Sequence, residues 1–230
     1  MVDKMKQLKY MLAVTAALVM CACGKDDEMP RVTPEGSGTF TDTRDGEVYA
    51  WVKFAGLDWM TSNMKAATAQ GKYDLYKRGV AWGAESLNMH ARYGYLYDHA
   101  AASAACPQGW RLPGDDDWQK LEQALGMGAS QAAQTGWRGS FEGELMQQRE
   151  EGTGLGLEAA GFINFLGDGN KTLYEEFGVS GLYWSATDDD TRAGATNAFY
   201  RKIMFNSKRV YRYSAVKTVM MSVRCVRDSQ

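Results

Sequence analysis

The chain has 230 residues, 45% of them hydrophobic and 12% aromatic, with 26 Lys and Arg against 28 Asp and Glu for a net charge of -2. That mild acidity, with the basic residues scattered, excludes the basic stripe of a nucleic-acid binder. With only His90 and His99 present and no zinc-type spacing of cysteines, neither a zinc centre nor a Ser-His-Asp triad can be assembled.

The N-terminus is basic (Lys4, Lys6, Lys9), runs through an apolar stretch from Met11 to Ala22, and exits at Cys23. These are the parts of a secretory signal, and the run is too short to span a bilayer. A small residue followed by cysteine resembles the bacterial lipobox. Of the two candidates, Cys21 follows Met20 and Cys23 follows Ala22; a small side chain must precede the cut, so Cys23 is the expected lipid acceptor and 1–22 the signal peptide. Lys25-Asp26-Asp27-Glu28 resembles the acidic tag that sends some bacterial lipoproteins to the outer face of the outer membrane. Loss of residues 1–22 removes three lysines and Asp3, leaving a net charge of about -4.

Residues 23–38, "CGKDDEMPRVTPEGSG", lack an apolar period and read as a tether with a reach of roughly 20 Å. Residues 39–230 are long enough for one core, and no period of 20 to 50 residues repeats. "EVYAWVKFAG" (47–56) predicts a strand with Val48, Ala50, Val52 and Phe54 on one side and Tyr49, Trp51 and Lys53 on the other; "LDWMTSNM" pairs back as a hairpin. The alanine-rich stretch 95–106 predicts a helix. In "GDDDWQKLEQALG" the spacing of Trp118, Leu121 and Leu125 predicts a second, stopped by Gly126. Asp115, Asp116 and Asp117 are read as satisfying free N–H groups and the helix dipole in its first turn rather than as metal ligands.

From 127 to 181 the chain reads as irregular apart from "GFINFLGDGNKTLY". "GLYWSATDDD", "AFYRKIMF" with "RVYRYSA" around Asn206-Ser207, and "MMSVRCVRD" supply closing strands. The basic run from Lys202 to Arg212 alternates with Phe205, Val210, Tyr211 and Tyr213 and reads as one hairpin face rather than a phosphate track. Strands at both ends with helices between predict an α+β domain whose termini share a sheet. With Cys21 in the signal and Cys23 lipidated, Cys106 and Cys225 remain; outside the cytoplasm they most simply form a disulfide, the alternative being two reduced thiols.

Five motifs in order, "TDTRDGEVYAWVKFAGLDWMTSNM", "YGYLYDHAAA", "CPQGWRLPGDDDWQKLEQALG", "GLYWSATDDD" and "MMSVRCVRD", resemble the FISUMP family, the major paralogous domain of bacterial surface lipoproteins, from about Phe40 to Asp228. Gly-Trp-Arg-Leu-Pro followed by an acidic residue and Trp also resembles the formylglycine-generating and sulfatase-modifying domains. The resemblance implies a C-type-lectin-like α+β fold with mixed or antiparallel sheets and two short helices, in which Cys106 and Cys225 form the core bridge. Gly114 stands where relatives often carry Ser or Thr, which shifts capping to Asp115 or weakens it by about 1 kcal/mol.

Trp59, Trp110, Trp118 and Trp184 lie in these motifs and are read as core; Trp82 and Trp137 lie in Gly-flanked stretches and are the candidate ligand-binding aromatics. The lectin calcium signatures are absent, and Asp168, Asn170 and Asp188 to Asp190 are read as solvated turns. No cofactor and no metal are expected. Three functions compete: a non-catalytic surface module holding a glycan or a protein, a structural envelope component without a soluble ligand, and a formylglycine-generating-type enzyme. The last needs a reactive cysteine pair near the C-terminus where only Cys225 stands, so the first is expected, anchored to the outer membrane through lipid on Cys23.

Overall fold

A computed structural model describes residues 28–229 apart from 69, 72, 75–89, 150, 151, 167–170, 193 and 195. The signal peptide, Cys21, Cys23, Trp82, Asp168 and Asn170 lie outside the described residues. The chain divides into two units, Met1–Pro30 and Arg31–Gln230, and the second holds all the described strands and helices.

The first sheet is antiparallel, in the order β1 (Ser37–Thr41), β2 (Val48–Phe54), β3 (Leu57–Met60) and β12 (Val226–Asp228). The first and last described strands therefore share one sheet, as expected of the terminal motifs. Pairing begins before the predicted boundary at 39: Glu35 and Gly36 already exchange backbone hydrogen bonds with Lys53. The β2–β3 hairpin turns on Ala55 and Gly56 at φ 53° and 76°, the two positive values that a two-residue turn of the I′ kind requires.

The expected alternation on β2 holds only at its end. Val52 and Phe54 are buried, but Val48 is exposed and Tyr49 has no exposed surface. The Tyr49 ring enters the main core and its hydroxyl accepts the Lys65 N–H at 3.3 Å, while Val52 meets the backbone around Gly154 on the other side. The face of Val48 and Ala50 is open at the start of the strand and covered only from Val52 on, while the opposite face is buried at Tyr49, so burial along β2 does not follow a period of two.

The second antiparallel sheet runs β6 (Gly136–Arg138), β11 (Val210–Val216), β10 (Asn197–Met204), β9 (Ser180–Asp188). Two ribbons, β4 (Tyr73–Asp74) with β5 (Leu96–Tyr97) and β7 (Phe162–Leu166) with β8 (Lys171–Glu175), complete the strands among the described residues. Helices among them are α1 (His99–Ala105), α2 (Asp115–Ala124), and the short α3 (Ala129–Ala132) and α4 (Glu142–Gln147), and residues 90–93 are also helical. The architecture is α+β, and residues 127–147, expected to be irregular, hold two helices and an edge strand.

The helix expected from 95 starts only at His99. Tyr97 exchanges two backbone hydrogen bonds with Met221, at 2.8 and 2.9 Å, which keeps the chain extended, and Asp98 then caps α1 by accepting the Ala101 N–H at 2.9 Å. The alanines all follow Asp98, so their helix propensity acts only after the strand pairing and the cap have set the start of α1.

The main core lies between the two sheets and α1. Tyr49 and Met60 contribute from the first sheet, Ala101, Ala102 and Ala105 from α1, Leu182 and Trp184 from β9, and Met221, Val223 and Cys225 from the last segment. Of the four motif tryptophans, Trp59, Trp118 and Trp184 have no exposed surface and Trp110 has 7%. On the far face of β9, α2 packs Trp118 against Tyr183 at 6.2 Å and against Trp59 at 4.9 Å.

Two devices hold the C-terminal segment against this core. Cys106, just after α1, is bonded to Cys225, just before β12, with Cα atoms 5.8 Å apart. Arg224, beside it and fully buried, has no carboxylate partner among the described residues; its guanidinium donates to the carbonyls of Met60, Leu155 and Gly156 and to Asn63 Oδ1, at 2.7 to 3.1 Å. Burial lowers its pKa from the usual arginine value, and the carbonyl dipoles and the Tyr183 ring, 5.8 Å away, supply what a counter-ion would.

The bridge closes a loop of 119 residues. Replacing both cysteines by serine is expected to lower the free energy of unfolding by up to about 4–5 kcal/mol through the freed unfolded chain. Denaturant titration checks this, and the unchanged protein unfolded in reductant should then match the double variant in its midpoint.

Candidate functional site

Strand β11 carries two chemistries on its two faces. Val210, Arg212 and Ser214 point inward and are buried, while Tyr211 is half-buried and Tyr213 is exposed on the opposite face. The run expected to form one hairpin face does lie on the β10–β11 hairpin, but its residues divide between the two faces. The arginine goes in, because a carboxylate waits for it, and the tyrosines stay out.

That carboxylate is Asp115, the first residue of α2. On the sheet, Arg201 of β10 stands directly opposite Arg212 of β11, and two like charges in that relation repel. Asp115 lies between them: Oδ1 accepts from Arg201 Nη1 at 2.7 Å and from Arg212 Nε at 2.9 Å, and Oδ2 accepts from Arg212 Nη2 at 2.7 Å. The chain of pairs continues as Arg201 Nε donates to Glu122 Oε1 at 2.6 Å and Arg138 of β6 grips both Glu122 oxygens at 2.7 and 2.9 Å. Three guanidinium groups against two carboxylates leave one positive charge, and the carbonyls of Ala132 and Ala133, at the C-terminal end of α3, accept from Arg138 and Arg212.

Burial alone would raise the Asp115 pKa, but the hydrogen bonds and charges of Arg212 and Arg201 outweigh it and hold the carboxyl at about 2. Asp115 therefore does not cap α2; of the two expected consequences of Gly114 the weakened cap is the one found, since Gly114 is the N-cap and offers no side-chain bond. Asp117 caps the helix instead, by accepting the Gly114 N–H at 2.7 Å, and Thr187 of β9 accepts the Asp115 N–H at 2.9 Å. Arg111 binds the same Asp117 carboxylate and pairs with Asp228 at 3.6 Å, so it serves the helix start and the chain end. Every oxygen of the acidic cluster that the sequence suggested is thus engaged by nitrogen donors or, for Asp116, sits on an exposed position.

Above this network, on the outward face of the same strands, lies an aromatic shelf. Trp137 of β6 stands opposite Tyr211, and Tyr213 stands opposite Tyr200 of β10. Tyr211 is the centre, with ring centroids 5.2 Å from Trp137, 6.0 Å from Tyr213 and 6.3 Å from Tyr200. Tyr200 and Ala215 pack against the main core and root the shelf in it. Its rim is polar: Arg192 stands 5.7 Å over the Tyr213 ring and donates to its hydroxyl at 3.0 Å, and Lys202, opposite Tyr211, pairs with Glu176 at 2.6 Å. Burial would raise the Glu176 pKa, but the bonds from Lys202 and Ser180 hold it below the usual range.

Trp137, expected on a loop, is thus half-buried on an edge strand among three tyrosines that the sequence did not single out. Their signal was the spacing of Tyr211 and Tyr213, two apart on a strand. Asp188 pairs with Lys217 at 2.8 Å, and Asp189 accepts from Thr191 and Ser214 and pairs with Arg192 at 3.6 Å. His99 is buried with Nε2–H donating to the Ser185 carbonyl at 3.0 Å and its ring 5.2 Å from Trp184, a core arrangement.

Because Asp115 is held below its ordinary value of 3.8, its ionised form stabilises the fold fully above that value, by about 2 kcal/mol, and the contribution is lost as pH falls toward 2. Asp115→Asn removes the charge that separates two arginines and is expected to cost about 3–5 kcal/mol at neutral pH. Thermal unfolding between pH 2 and 7 checks both: the gap between the unchanged protein and the variant should narrow as the pH falls through this window.

No curated protein and no solved structure matches the chain. The sequence model of the Fibrobacter succinogenes major domain matches residues 52–227, which take in both cysteines of the bridge, the arginine network and the whole shelf. By that match over most of its length, and in keeping with the FISUMP resemblance of its five ordered motifs, the chain belongs to the Fibrobacter succinogenes major domain family.

Proposed function

We propose that the protein is a non-catalytic binding module with a C-type-lectin-like domain, lipid-anchored through Cys23 on the outer face of the outer membrane, and that it holds a glycan on the shelf of Trp137, Tyr200, Tyr211 and Tyr213. The observation that carries this reading is the placement of four aromatic rings together on one sheet face, rimmed by Arg192 and Lys202. Aromatic faces stack on the C–H faces of sugars, while charged and hydroxyl groups at the rim meet sugar hydroxyls; tyrosine and tryptophan supply that area at small conformational cost. The bridge between a position after α1 and a position before the last strand, and the sharing of one sheet by the first and last described strands, support the lectin-like reading.

The engagement of Cys225 with Cys106 weighs against formylglycine-type thiol chemistry, which needs that sulfur free. The acids and arginines of the buried network pair with one another and lie on the opposite face of β11 from the shelf, so they support it and do not face a ligand.

Two measurements test the proposal. Incorporation of labelled fatty acid should be lost in Cys23→Ala. On a glycan array the full chain in detergent should retain at least one class of sugar, and Trp137→Ala should weaken that binding about tenfold, or about 1.4 kcal/mol, without lowering the thermal midpoint by more than a few degrees. Silence across the array, with a protein captured instead through the same residues, would favour a structural or protein-binding envelope component.

A further inference from the structure

The tilt of the shelf rings carries information about the shape of what lies on them. From Trp137 to Tyr211 the ring planes turn by 54°, from Tyr211 to Tyr213 by 35°, and from Tyr200 to Tyr211 by 47°. These rings come from three neighbouring strands, and neighbouring strands in a sheet are rotated by roughly 20–25° about one another, so a flat platform is not available here. The centroid step of 5.2 Å from Trp137 to Tyr211 crosses between paired strands. The step of 6.0 Å from Tyr211 to Tyr213 runs along β11, near the rise of about 7 Å that a strand gives for two positions. Two steps of about one sugar residue each therefore meet at a bend.

We propose that the shelf, on the glycan-binding reading above, takes a single twisting glycan chain lengthwise, with at least two successive sugar rings stacked, and that Tyr211 is its central platform. A solvated chain can turn each sugar to follow the ring tilts. The face of a crystalline polysaccharide is flat and meets one ring at a time, and a single terminal sugar uses one ring only. Tyr211 is placed centrally because it alone of the four neighbours each of the other three rings. Arg192 fixes Tyr213 by a hydrogen bond to its hydroxyl, and Lys202, held by Glu176, lies beside Tyr211 where chain hydroxyls would pass.

The test uses the full chain in detergent with linear oligomers of one to six units of glucose, mannose, N-acetylglucosamine and galacturonate, in soluble form, and a crystalline β-linked glucan as the flat counterpart. Titration calorimetry should show affinity for at least one series rising tenfold or more between one and three units and levelling off by five, with no retention on the crystalline glucan. Tyr211→Leu, which keeps apolar bulk without a ring, should flatten that rise, and Tyr211→Phe should restore it; near-ultraviolet circular dichroism of both variants checks that the sheet is intact. Equal affinity for one and three units, or retention on the flat surface, overturns the lengthwise reading while leaving glycan binding standing. Absence of binding in all four series and on the crystal overturns both.

Discussion

Two arginines face each other across neighbouring strands in the interior of this domain, and the placement of one aspartate between them decides much of the rest. Arg201 and Arg212 would repel if left alone, and each would be costly to bury without a partner. Asp115 resolves both problems, but only if the first turn of α2 sits directly over the β10–β11 pair. The ion pairs therefore specify a position for the helix, and Glu122 further along it extends the grip through Arg138 to the edge strand β6. Charge pairs of this kind add less to stability than their number suggests, since desolvation takes back most of the attraction. Their effect is to exclude other registers, because a shift by one residue would point the arginines outward and the tyrosines inward.

The outward face of the sheet follows from the inward one. With Arg212 and Ser214 committed to the interior, Tyr211 and Tyr213 stand on the other side, and the edge strand brought in by Arg138 delivers Trp137 beside them. The shelf is thus a by-product of the same register that buries the charges. Its stiffness comes from beneath: aromatic groups of few rotamers stand on strands locked by buried bonds, an arrangement that reduces the ordering cost when something is bound.

The other half of the domain uses different means to the same end. The last segment has little regular structure before β12, yet Arg224 and Cys225 are adjacent in it and both reach far along the chain, one to carbonyls near Met60 and Leu155, the other to Cys106. A buried guanidinium solvated by carbonyls acts as a polar rivet, and the neighbouring covalent link keeps it in place. Much of the fold is legible in the chain itself. The five motifs mark the strands at both ends, the amphipathic spacing of Trp118, Leu121 and Leu125 marks α2, and Trp59, Trp110, Trp118 and Trp184 are core. Local spacing reports local structure, and those features are local. Residues 95–98, Tyr-Leu-Tyr-Asp, stand ahead of the alanines and form no helix, because Tyr97 pairs with Met221, far along the chain, and Asp98 is spent as the cap. The edge strand at Trp137 announces nothing of itself, because three residues among glycines carry no period.

What the sequence determined alone was the order of the elements within its five motifs, the α+β class, four buried tryptophans and, by leaving two cysteines in one domain, the only bridge it could form there. The tertiary structure decided which face of β11 holds charge, which aspartate caps α2, and which aromatics meet. Arg201 and Arg212 find Asp115 across 86 and 97 residues. No window of sequence contains both partners of such a bond, and the energy that orients each side chain exists only once the chain has brought them together.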